Sequence, residues 1–347
     1  MALGSPTGSP VADGAADAAI TARALRRTFK GGIEAVRDIE LTVAAGEVFG
    51  FLGPNGAGKT TTVRMLCTLL PPTGGSATVA GLDVVHQGAE VRRVIGVALQ
   101  EIGLDPVQTG RELLELQCGL YGITGKQGRE RAQELLDLVG LTDAADRRTK
   151  TYSGGMKRRL DLASALVHSP EVLFLDEPTT GLDPASRLTI WEEVRRINAG
   201  GTTVFLTTQY LEEADKLCDR VSIIDDGRIV AEGTPGQLKA EMGHDVVSLS
   251  LDGVNPSALE ASLADLPGLE RLIFEPDGLV LYVADGPGSI AEIVRLLDRD
   301  SIQVGAISVS HPTLDDVFLR ATGRRLEGQE QNANEAADGK RAAGARR

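Results

Sequence analysis

The sequence contains the glycine-rich stretch Gly53-Pro54-Asn55-Gly56-Ala57-Gly58-Lys59-Thr60, which matches the pattern G-x-x-x-x-G-K-[ST]. It follows the apolar run EVFGFL at 47–52 and opens a segment with helical character. Its glycines allow the backbone to curl so that successive N–H groups point into one concavity, and the helix N-terminus adds partial positive charge. The stretch therefore predicts a strand–loop–helix unit that binds phosphate. Within it we expect Lys59 to reach the β- and γ-phosphates, Thr60 to bind Mg²⁺ and Thr61 to bond the α-phosphate side.

Short apolar runs recur along the chain, each bounded by glycine, proline or polar residues, at 47–52, 94–99, 171–176 and 202–207. Runs of this kind are typical of strands that are buried on both faces of a parallel sheet. Helical patterns alternate with them, over 60–70 and 185–198, and the pattern from 110 to about 141 is helical with no strand signal. We therefore predict an α/β fold with a helical subdomain inserted at about residues 105–165.

The composition changes toward the C-terminal end of the chain. Strand and helix patterns follow there in the order β-α-β-β-α-β, with the helices over 256–266 and 289–297. This order predicts a second, small α+β domain of the split βαβ type over residues 243–322, closed by a helix over 314–322. The larger domain is expected over residues 19–242.

Composition and charge limit the classes of function. The chain has 347 residues, of which 42% are hydrophobic and 24% charged, so it can bury a core and is not globally disordered. The net charge of −13 argues against a bulk basic surface, and hence against nucleic acid as a partner. The cysteines are scattered and odd in number, which predicts neither a disulfide framework nor a metal site; they are Cys67, Cys118 and Cys218.

The two ends of the chain lack apolar periodicity, and we expect a disordered leader over 1–18 and a disordered, solvated tail over 323–347. The start of the sequence has neither the basic region nor the apolar stretch of a secretory signal. No run of about 18 apolar residues is present, which predicts that the chain does not span a bilayer by itself.

A second motif carries two carboxylates. The apolar run over 172–175 ends in Asp176 and Glu177. Because the C-terminal ends of parallel strands face the ligand crevice, we expect Asp176 to lie beside Mg²⁺, directly or through water. Glu177 is then placed to act on an attacking water. An acidic pair at a strand end is equally consistent with a helix cap when taken alone, but the phosphate loop favours the catalytic interpretation.

A third motif, Tyr152-Ser153-Gly154-Gly155-Met156, precedes a helical pattern. The hydroxyl of Ser153, the glycines Gly154 and Gly155 and the helix N-terminus predict a second anion-binding surface. At this point the sequence resembles the ATP-binding subunits of ABC transporters. The motif is similar to their signature, L-S-G-G-Q, with Tyr152 and Met156 replacing its outer residues.

Further elements of the ABC family occur in the same order. Gln100 resembles the glutamine of the Q-loop, which contacts metal and water, and Gly181-Leu182-Asp183-Pro184 is similar to the D-loop. Phe29 stands where the family places an aromatic ring over adenine. Each of these residues is unremarkable alone, whereas the ordered set is specific to the family. The resemblance implies ATP and Mg²⁺ as cofactors, with Thr60, Gln100 and Asp176 at the metal.

One departure from the family concerns the switch histidine, whose place is taken by Gln209. Glutamine does not change charge near neutral pH and cannot shuttle a proton, although its amide can donate a hydrogen bond to phosphate. One interpretation is a degenerate site with little activity. Because Glu177 and Lys59 are both present, we predict that hydrolysis is retained, with Lys59, Glu177 and Gln209 as the catalytic residues.

Two stretches resemble one subgroup of the family, the ATP-binding subunits of daunorubicin/doxorubicin-type drug-resistance exporters. They are Thr207-Thr208-Gln209-Tyr210-Leu211-Glu212-Glu213-Ala214-Asp215 and His311-Pro312-Thr313-Leu314-Asp315-Asp316-Val317-Phe318. The second stretch is also consistent with an amphipathic helix that only packs on the small domain.

The resemblance implies how the protein works. Two copies meet head to tail and hold ATP between the phosphate loop, 53–61, of one copy and Ser153–Gly155 of the other. Opening and closing of this homodimer drives separate polytopic membrane permease subunits, so that the chain is peripheral on the cytoplasmic side of the membrane. The cargo is then a drug, an antibiotic or a similar amphipathic compound.

Three alternatives stay open at this point. The chain could energise export of another substrate class, such as a lipid or polysaccharide. It could be a soluble ABC-type ATPase that acts on ribosomes or DNA, although that class usually has two cassettes or a long coiled-coil insert. Gln209 also allows a regulatory module that binds ATP without hydrolysing it.

Overall fold

The computed structural model describes residues 18–100, 103–243, 245–251, 263, 266–275, 278–299, 302 and 304–323. The chain divides into two compact units, and the division falls between Thr234 and Pro235.

The first unit is a mixed α/β structure. Its strands are β1 (Ala18–Thr28), β2 (Glu34–Ala44), β3 (Val48–Leu52), β4 (Gly74–Val79), β5 (Leu82–Asp83), β6 (Ile95–Ala98), β7 (Val172–Asp176), β8 (Thr203–Thr208), β9 (Arg220–Asp225) and β10 (Arg228–Gly233). Its helices are α1 (Lys59–Leu66), α2 (Gly88–Val94), α3 (Gly110–Leu120), α4 (Gly125–Leu138), α5 (Gly154–Ala165), α6 (Pro184–Ala199) and α7 (Leu211–Leu217).

The central sheet has the strand order β10-β9-β3-β8-β7-β6 and is parallel except for β10. Every residue of β3, β7 and β8 is buried, as expected for strands covered on both faces. The ring of Phe205 lies 5.6 Å, between centroids, from each of Phe49, Phe51 and Phe174. The predicted α/β fold with a parallel sheet is confirmed.

A second, antiparallel sheet of order β2-β1-β4-β5 belongs to the same unit. It shares a hydrophobic cluster with α1 and the central sheet, including Ile20, Ile39 and Met65. The sequence patterns did not predict this sheet. Ala18, which the sequence analysis placed in the disordered leader over 1–18, instead begins β1 and pairs with Ala44.

The inserted segment is helical, as predicted, and consists of α3, α4, two short 3₁₀ turns and α5. A capping box between Thr109 and Glu112 begins α3. Gly128 lies inside α4. A Cβ atom on Gly128 would stand 2.7 Å from the carbonyl oxygen of Ile123, so this glycine serves close packing.

The second unit is a small α+β structure. Its elements are α8 (Pro235–Ala240), β11 (Asp245–Leu251), β12 (Leu269–Glu275), β13 (Gly278–Val283), α9 (Gly286–Arg299), β14 (Val304–Ser310) and α10 (Leu314–Thr322).

The strands of this unit form an antiparallel sheet of order β12-β13-β11-β14. This arrangement is the one expected for the split βαβ pattern. Of the predicted helix over 256–266, Leu263 is helical and buried and Leu266 is buried, and the other residues lie outside those described. The tail beyond Gly323 and residues 1–17 of the leader also lie outside them.

None of the helices in the described parts of the chain combines the length and apolar character needed to cross a membrane.

Candidate functional site

The predicted site residues of the central sheet meet at one of its edges. The phosphate loop follows β3, Gln209 follows β8, Asp176 ends β7 and Gln100 comes shortly after β6. These four strands are parallel and in register, with Leu52 opposite Thr208 and Asp176 opposite Thr207. The fold therefore brings four separate sequence features to the same end of the central sheet.

Two glycines of the phosphate loop are required by close backbone approach. A Cβ atom on Gly53 would stand 2.3 Å from the carbonyl oxygen of Ile224. Gly58 has a φ of +108°, and a Cβ atom there would stand 2.4 Å from the carbonyl oxygen of Ala35. The loop is thus held between β9 and the start of β2, which fixes the path of its backbone.

The N-terminus of α1 is open to an anion. Its N-cap residue, Gly58, offers no side chain, and its first turn has no acidic residue. The first helical N–H groups, those of Lys59, Thr60 and Thr61, have no partner within the helix because of helix geometry. Three donors and the positive end of the helix dipole therefore face the loop.

Lys59 is buried, with 4% of its surface exposed. Its ammonium donates to the carbonyl oxygens of Gly53, at 2.8 Å, and Pro54, at 3.1 Å, and lies 3.2 Å from Oε1 of Glu177. Burial lowers the pKa of Lys59, and the Glu177 carboxylate opposes this shift. The cation predicted to bind phosphate and the predicted general base thus form an ion pair.

Asp176 lies at the end of β7 with 1% of its surface exposed. Its Oδ1 atom accepts from the hydroxyl of Thr207, at 2.6 Å, and from that of Thr60, at 3.2 Å. Its Oδ2 atom is buried, and no hydrogen-bond donor reaches it from the described residues. A buried carboxylate oxygen without a partner, beside a threonine hydroxyl, is a donor set that fits Mg²⁺, which prefers oxygen ligands.

Glu177 has a backbone conformation that non-glycine residues rarely adopt, with a φ of +51°. Its N–H group donates to the carbonyl oxygen of Thr207, at 3.1 Å, and to the hydroxyl of the same residue, at 3.0 Å. Its Oε2 atom accepts from Thr180 at 3.3 Å. A residue with a strained backbone thus carries the carboxylate that lies 3.2 Å from the Lys59 ammonium.

Thr207 is a site residue that sequence reasoning missed. It holds Asp176 through its hydroxyl and Glu177 through both its hydroxyl and its carbonyl oxygen. Two sequence signals were its place at the end of a strand pattern and its place at the start of the stretch over 207–215, and neither assigns it a contact with Asp176 or Glu177. Threonine is common in strands, so this position alone did not indicate a role.

The two predicted glutamines differ in exposure. Gln100 is exposed, and Gln209 is partly buried at the end of β8. The segment after Gln209 is held by the N–H group of Tyr210, which donates to the hydroxyl of Thr208 at 2.9 Å. The guanidinium of Arg187 lies over the Tyr210 ring, 4.4 Å from its centroid.

The signature-like motif forms the beginning of α5. Ser153 is the N-cap, and its hydroxyl accepts from the N–H group of Met156 at 3.2 Å. Ser153 and Gly154 are exposed, and Tyr152 is buried. The Tyr152 hydroxyl donates to the carbonyl oxygen of Ala144 at 2.7 Å, so the residue that replaces the usual leucine anchors the motif to the helical insert.

Asp183 and Phe29 lie on elements outside the sheet edge. Asp183 is the N-cap of α6, and bonds from Ser186 lower the pKa of its carboxyl group. Phe29 lies between β1 and β2 with 38% of its surface exposed, and the guanidinium of Arg27 lies 4.8 Å from the centre of its ring. The structure thus gives the Asp183 carboxylate a capping role, and it leaves the Phe29 ring accessible.

Glu213 is a buried carboxyl group next to the site. Its Oε1 atom accepts from Thr179 and from the indole of Trp191, both at 2.9 Å. Burial raises the pKa of Glu213. This residue ties α7, which follows Gln209, to the segment after Glu177 and to α6.

Two protein-family models match the chain. One, described as ABC transporter, matches residues 36–180. The other, described as the C-terminal domain of DrrA1-3-like ATP-binding proteins, matches residues 233–322.

Individual proteins match over most of the chain. The daunorubicin resistance ATP-binding protein DrrA2 of Streptomyces coeruleorubidus is 46% identical over 330 residues, covering 92% of this chain and 99% of DrrA2. The daunorubicin/doxorubicin resistance ATP-binding protein DrrA of Streptomyces peucetius is 46% identical, covering 88% of this chain and 93% of that protein.

One solved structure is similar to this chain. It is the dimeric, post-hydrolysis state of the ATP-binding cassette MJ0796 bound to ADP and Pi. It has a TM-score of 0.57 and 27% sequence identity to this chain, and it covers 62% of this chain and 98% of its own.

Proposed function

The chain belongs to the ABC transporter ATP-binding proteins of the DrrA drug-resistance group, and from this we propose that its ATP hydrolysis energises the export of drugs or similar amphipathic compounds. The observation that carries the proposal is the sheet edge. There Lys59 of the phosphate loop pairs with Glu177, and Asp176 lies beside Thr60 with a buried oxygen left unbonded.

ATP binds with its phosphates on the main-chain amides of residues 53–61. The donors at the start of α1 supply this cradle. Lys59 turns from Glu177 to the β- and γ-phosphates, which replaces one anionic partner by another. Phe29 stacks on the adenine, and the exposed face of its ring supports this role.

Mg²⁺ would be held by Thr60 and Asp176, with Gln100 as a further ligand. When bound, it neutralises charge on the β- and γ-phosphates. The unbonded Oδ2 atom of Asp176 and the adjacent Thr60 hydroxyl support this assignment.

Hydrolysis requires a base, and Glu177 is placed to be that base. Once Lys59 turns to phosphate, the Glu177 carboxylate is free to accept a proton from the attacking water. The water oxygen bonds to the γ-phosphorus as the bond to the bridging oxygen breaks, which releases phosphate and ADP. The amide of Gln209 donates a hydrogen bond to the γ-phosphate, because a glutamine side chain cannot transfer a proton but can donate a hydrogen bond.

The catalytic unit is a head-to-tail homodimer. Ser153, Gly154 and Gly155 at the N-terminus of α5 bind the γ-phosphate of the ATP held by the other copy, and Asp183 lies in the adjoining D-loop. The exposure of Ser153 and Gly154 supports this assignment. The related cassette MJ0796 was solved as a dimer with ADP and Pi.

Separate polytopic permease subunits receive the motion of the dimer. Gln100 and the helical insert pass it on, and the chain lies peripherally on the cytoplasmic side of the membrane. Its own contact with the membrane is made only through the permease.

The function is tested in cells that express the chain with its membrane subunit. Lys59→Ala should abolish drug tolerance and, in the purified protein, phosphate release. Lys216→Ala, which removes an exposed lysine in the last turn of α7, is the control and should change neither. Phosphate release without any drug tolerance would contradict drugs as the cargo. ATP binding without phosphate release would instead favour the non-hydrolysing module suggested by Gln209.

A further inference from the structure

A buried arginine lies on the helix that begins with the signature-like motif. Arg158 of α5 has 5% of its surface exposed. A buried guanidinium is costly to desolvate and persists only where hydrogen bonds and charges compensate it. Its partners therefore show what the side chain is for.

These partners are three main-chain carbonyl groups from two other segments. Nε donates to Pro178 at 3.0 Å, Nη2 donates to Asp176 at 2.9 Å, and Nη1 donates to Leu99. Nη1 also lies 3.4 Å from Oδ2 of Asp161, one turn along the same helix.

The three carbonyl groups flank proposed site residues. Asp176 and Pro178 are the neighbours of Glu177 on either side, and Leu99 directly precedes Gln100. The planar guanidinium, with five N–H groups in a fixed fork, can hold all three at once. A lysine ammonium at this position has neither the reach nor the fixed geometry to do so.

The N-terminus of α5 belongs, in the proposed dimer, to the ATP site of the other copy. Ser153 precedes Arg158 by five residues, about 7.5 Å along the helix axis, and is proposed to bind the ATP of the other copy. The hydrogen bonds within α5 join its N-terminus to the turn that carries Arg158. A shift of this N-terminus upon clamping ATP would therefore reach the residues around Glu177 and Gln100 through the hydrogen bonds of Arg158.

We propose that Arg158 is a positioning residue that couples the two nucleotide sites of the dimer. Engagement of the partner's ATP at Ser153 sets, through α5 and the Arg158 fork, the position of Glu177 over the chain's own ATP. This inference rests on the head-to-tail dimer proposed above and adds to it a specific route between the sites.

The test compares the wild type with Arg158→Lys and Arg158→Met in phosphate release against ATP concentration. We expect a Hill coefficient above 1.5 in the wild type and about 1 in Arg158→Lys, with kcat lowered about tenfold, the effect of one charged hydrogen bond. The Kd for ATP, measured by calorimetry, should stay within about twofold, because Arg158 lies away from the phosphate cradle. Dimer formation with ATP, measured by light scattering, should persist in Arg158→Lys.

The matched control is Arg159→Met. Arg159 is the next residue of α5 and also bonds carbonyl groups, those of Val139 at 2.9 Å and Gly140 at 3.2 Å, but these lie in the helical insert. We expect it to keep the wild-type Hill coefficient. If Arg158→Met fails to fold, Arg158→Lys decides the matter alone.

The outcomes separate the two claims. A wild-type Hill coefficient of 1, or an Arg158→Lys variant with wild-type kcat and Hill coefficient, overturns the coupling while hydrolysis and dimer formation stand. Equal effects of the Arg158 and Arg159 variants would reduce Arg158 to general packing and also overturn it. A wild type that neither hydrolyses ATP nor dimerises refutes the proposed function, and the coupling with it.

Discussion

At the scale of single residues, the site is organised by short polar contacts to the main chain. The hydroxyl of Thr207 serves Asp176 and the N–H group of Glu177 together. The positive φ of Glu177 is maintained by this bond and by a second bond to the carbonyl oxygen of Thr207. One threonine thus holds the side chain of Asp176 and the main chain of Glu177.

Glu177→Gln should lower phosphate release by about 10²–10⁴-fold, because the amide cannot accept a proton from water. The assay is steady-state phosphate release by the purified protein. Adding Gln209→His to this variant should not restore activity. Glu212→Gln, at an exposed carboxylate of α7, is the control, and full activity in Glu177→Gln would rule out Glu177 as the base.

Asp161 provides a test of burial through pH. Burial raises its pKa from an ordinary value of 3.8 to about 6, although Arg158 opposes the shift. Because the pKa is raised in the folded state, the wild type loses stability relative to a variant with a neutral residue at this position as the pH rises from 3.8 to about 6. Above about pH 6 this loss does not increase. The stability of Asp161→Asn relative to the wild type should therefore be higher at pH 7.5 than at pH 5 by about 1 kcal/mol.

Urea unfolding of the two proteins at both pH values measures this difference. Asp143→Asn, at an exposed carboxylate of the helical insert, controls for a general effect of charge. A stability difference that does not change with pH would contradict the burial of an ionisable Asp161.

At the scale of elements, the phosphate loop depends on close approach of backbones. Gly58→Ala should lower the free energy of unfolding by more than the roughly 1–2 kcal/mol of a left-handed non-glycine residue, because Cβ meets the carbonyl oxygen of Ala35. It should also weaken ATP binding, since the loop must shift. Gly201→Ala is the matched control, because Gly201 has a φ of +97° with nothing within 4 Å of the Cβ position.

Thermal melting and calorimetry with ATP measure these effects. Equal destabilisation by the two alanines would show that backbone strain alone matters and that the contact with Ala35 is relieved at no cost.

The elements that could be predicted from sequence are those with uninterrupted patterns. The buried parallel strands were visible because each is a short, fully apolar run between turn residues. The antiparallel strands β1 and β2 were not visible in the sequence. A register shift between Ala22 and Leu25 breaks the alternation of buried and exposed residues. Ala24 and Asp38 also have positive φ, which interrupts the regular strand.

The limits for the site have a similar cause. The motif residues could be proposed from the sequence because phosphate chemistry constrains residue type and spacing together. Most hydrogen bonds of Thr207 and Arg158 join them to main-chain groups of other segments. Because every residue has such groups, the sequence contains no motif that marks the bonding partners. Their roles follow only once β7, β8 and α5 are placed beside one another.

At the scale of the whole molecule, net charge bears on assembly. The chain carries a net charge of −13, so two copies repel one another over a Debye length. Each copy of the proposed dimer also leaves donors unpaired, at the start of α1 and at the start of α5. In the proposed dimer, bound triphosphate would satisfy both sets together, so we expect association to depend on the nucleotide.

The most direct measurement is the mass of Glu177→Gln protein by light scattering, with and without ATP and Mg²⁺. The variant is expected to bind ATP without cleaving it, so the bridge between the copies should persist. We expect the mass of one chain without nucleotide and of two chains with it. Protein that binds ATP by calorimetry yet retains the mass of a single chain would contradict the nucleotide-bridged dimer.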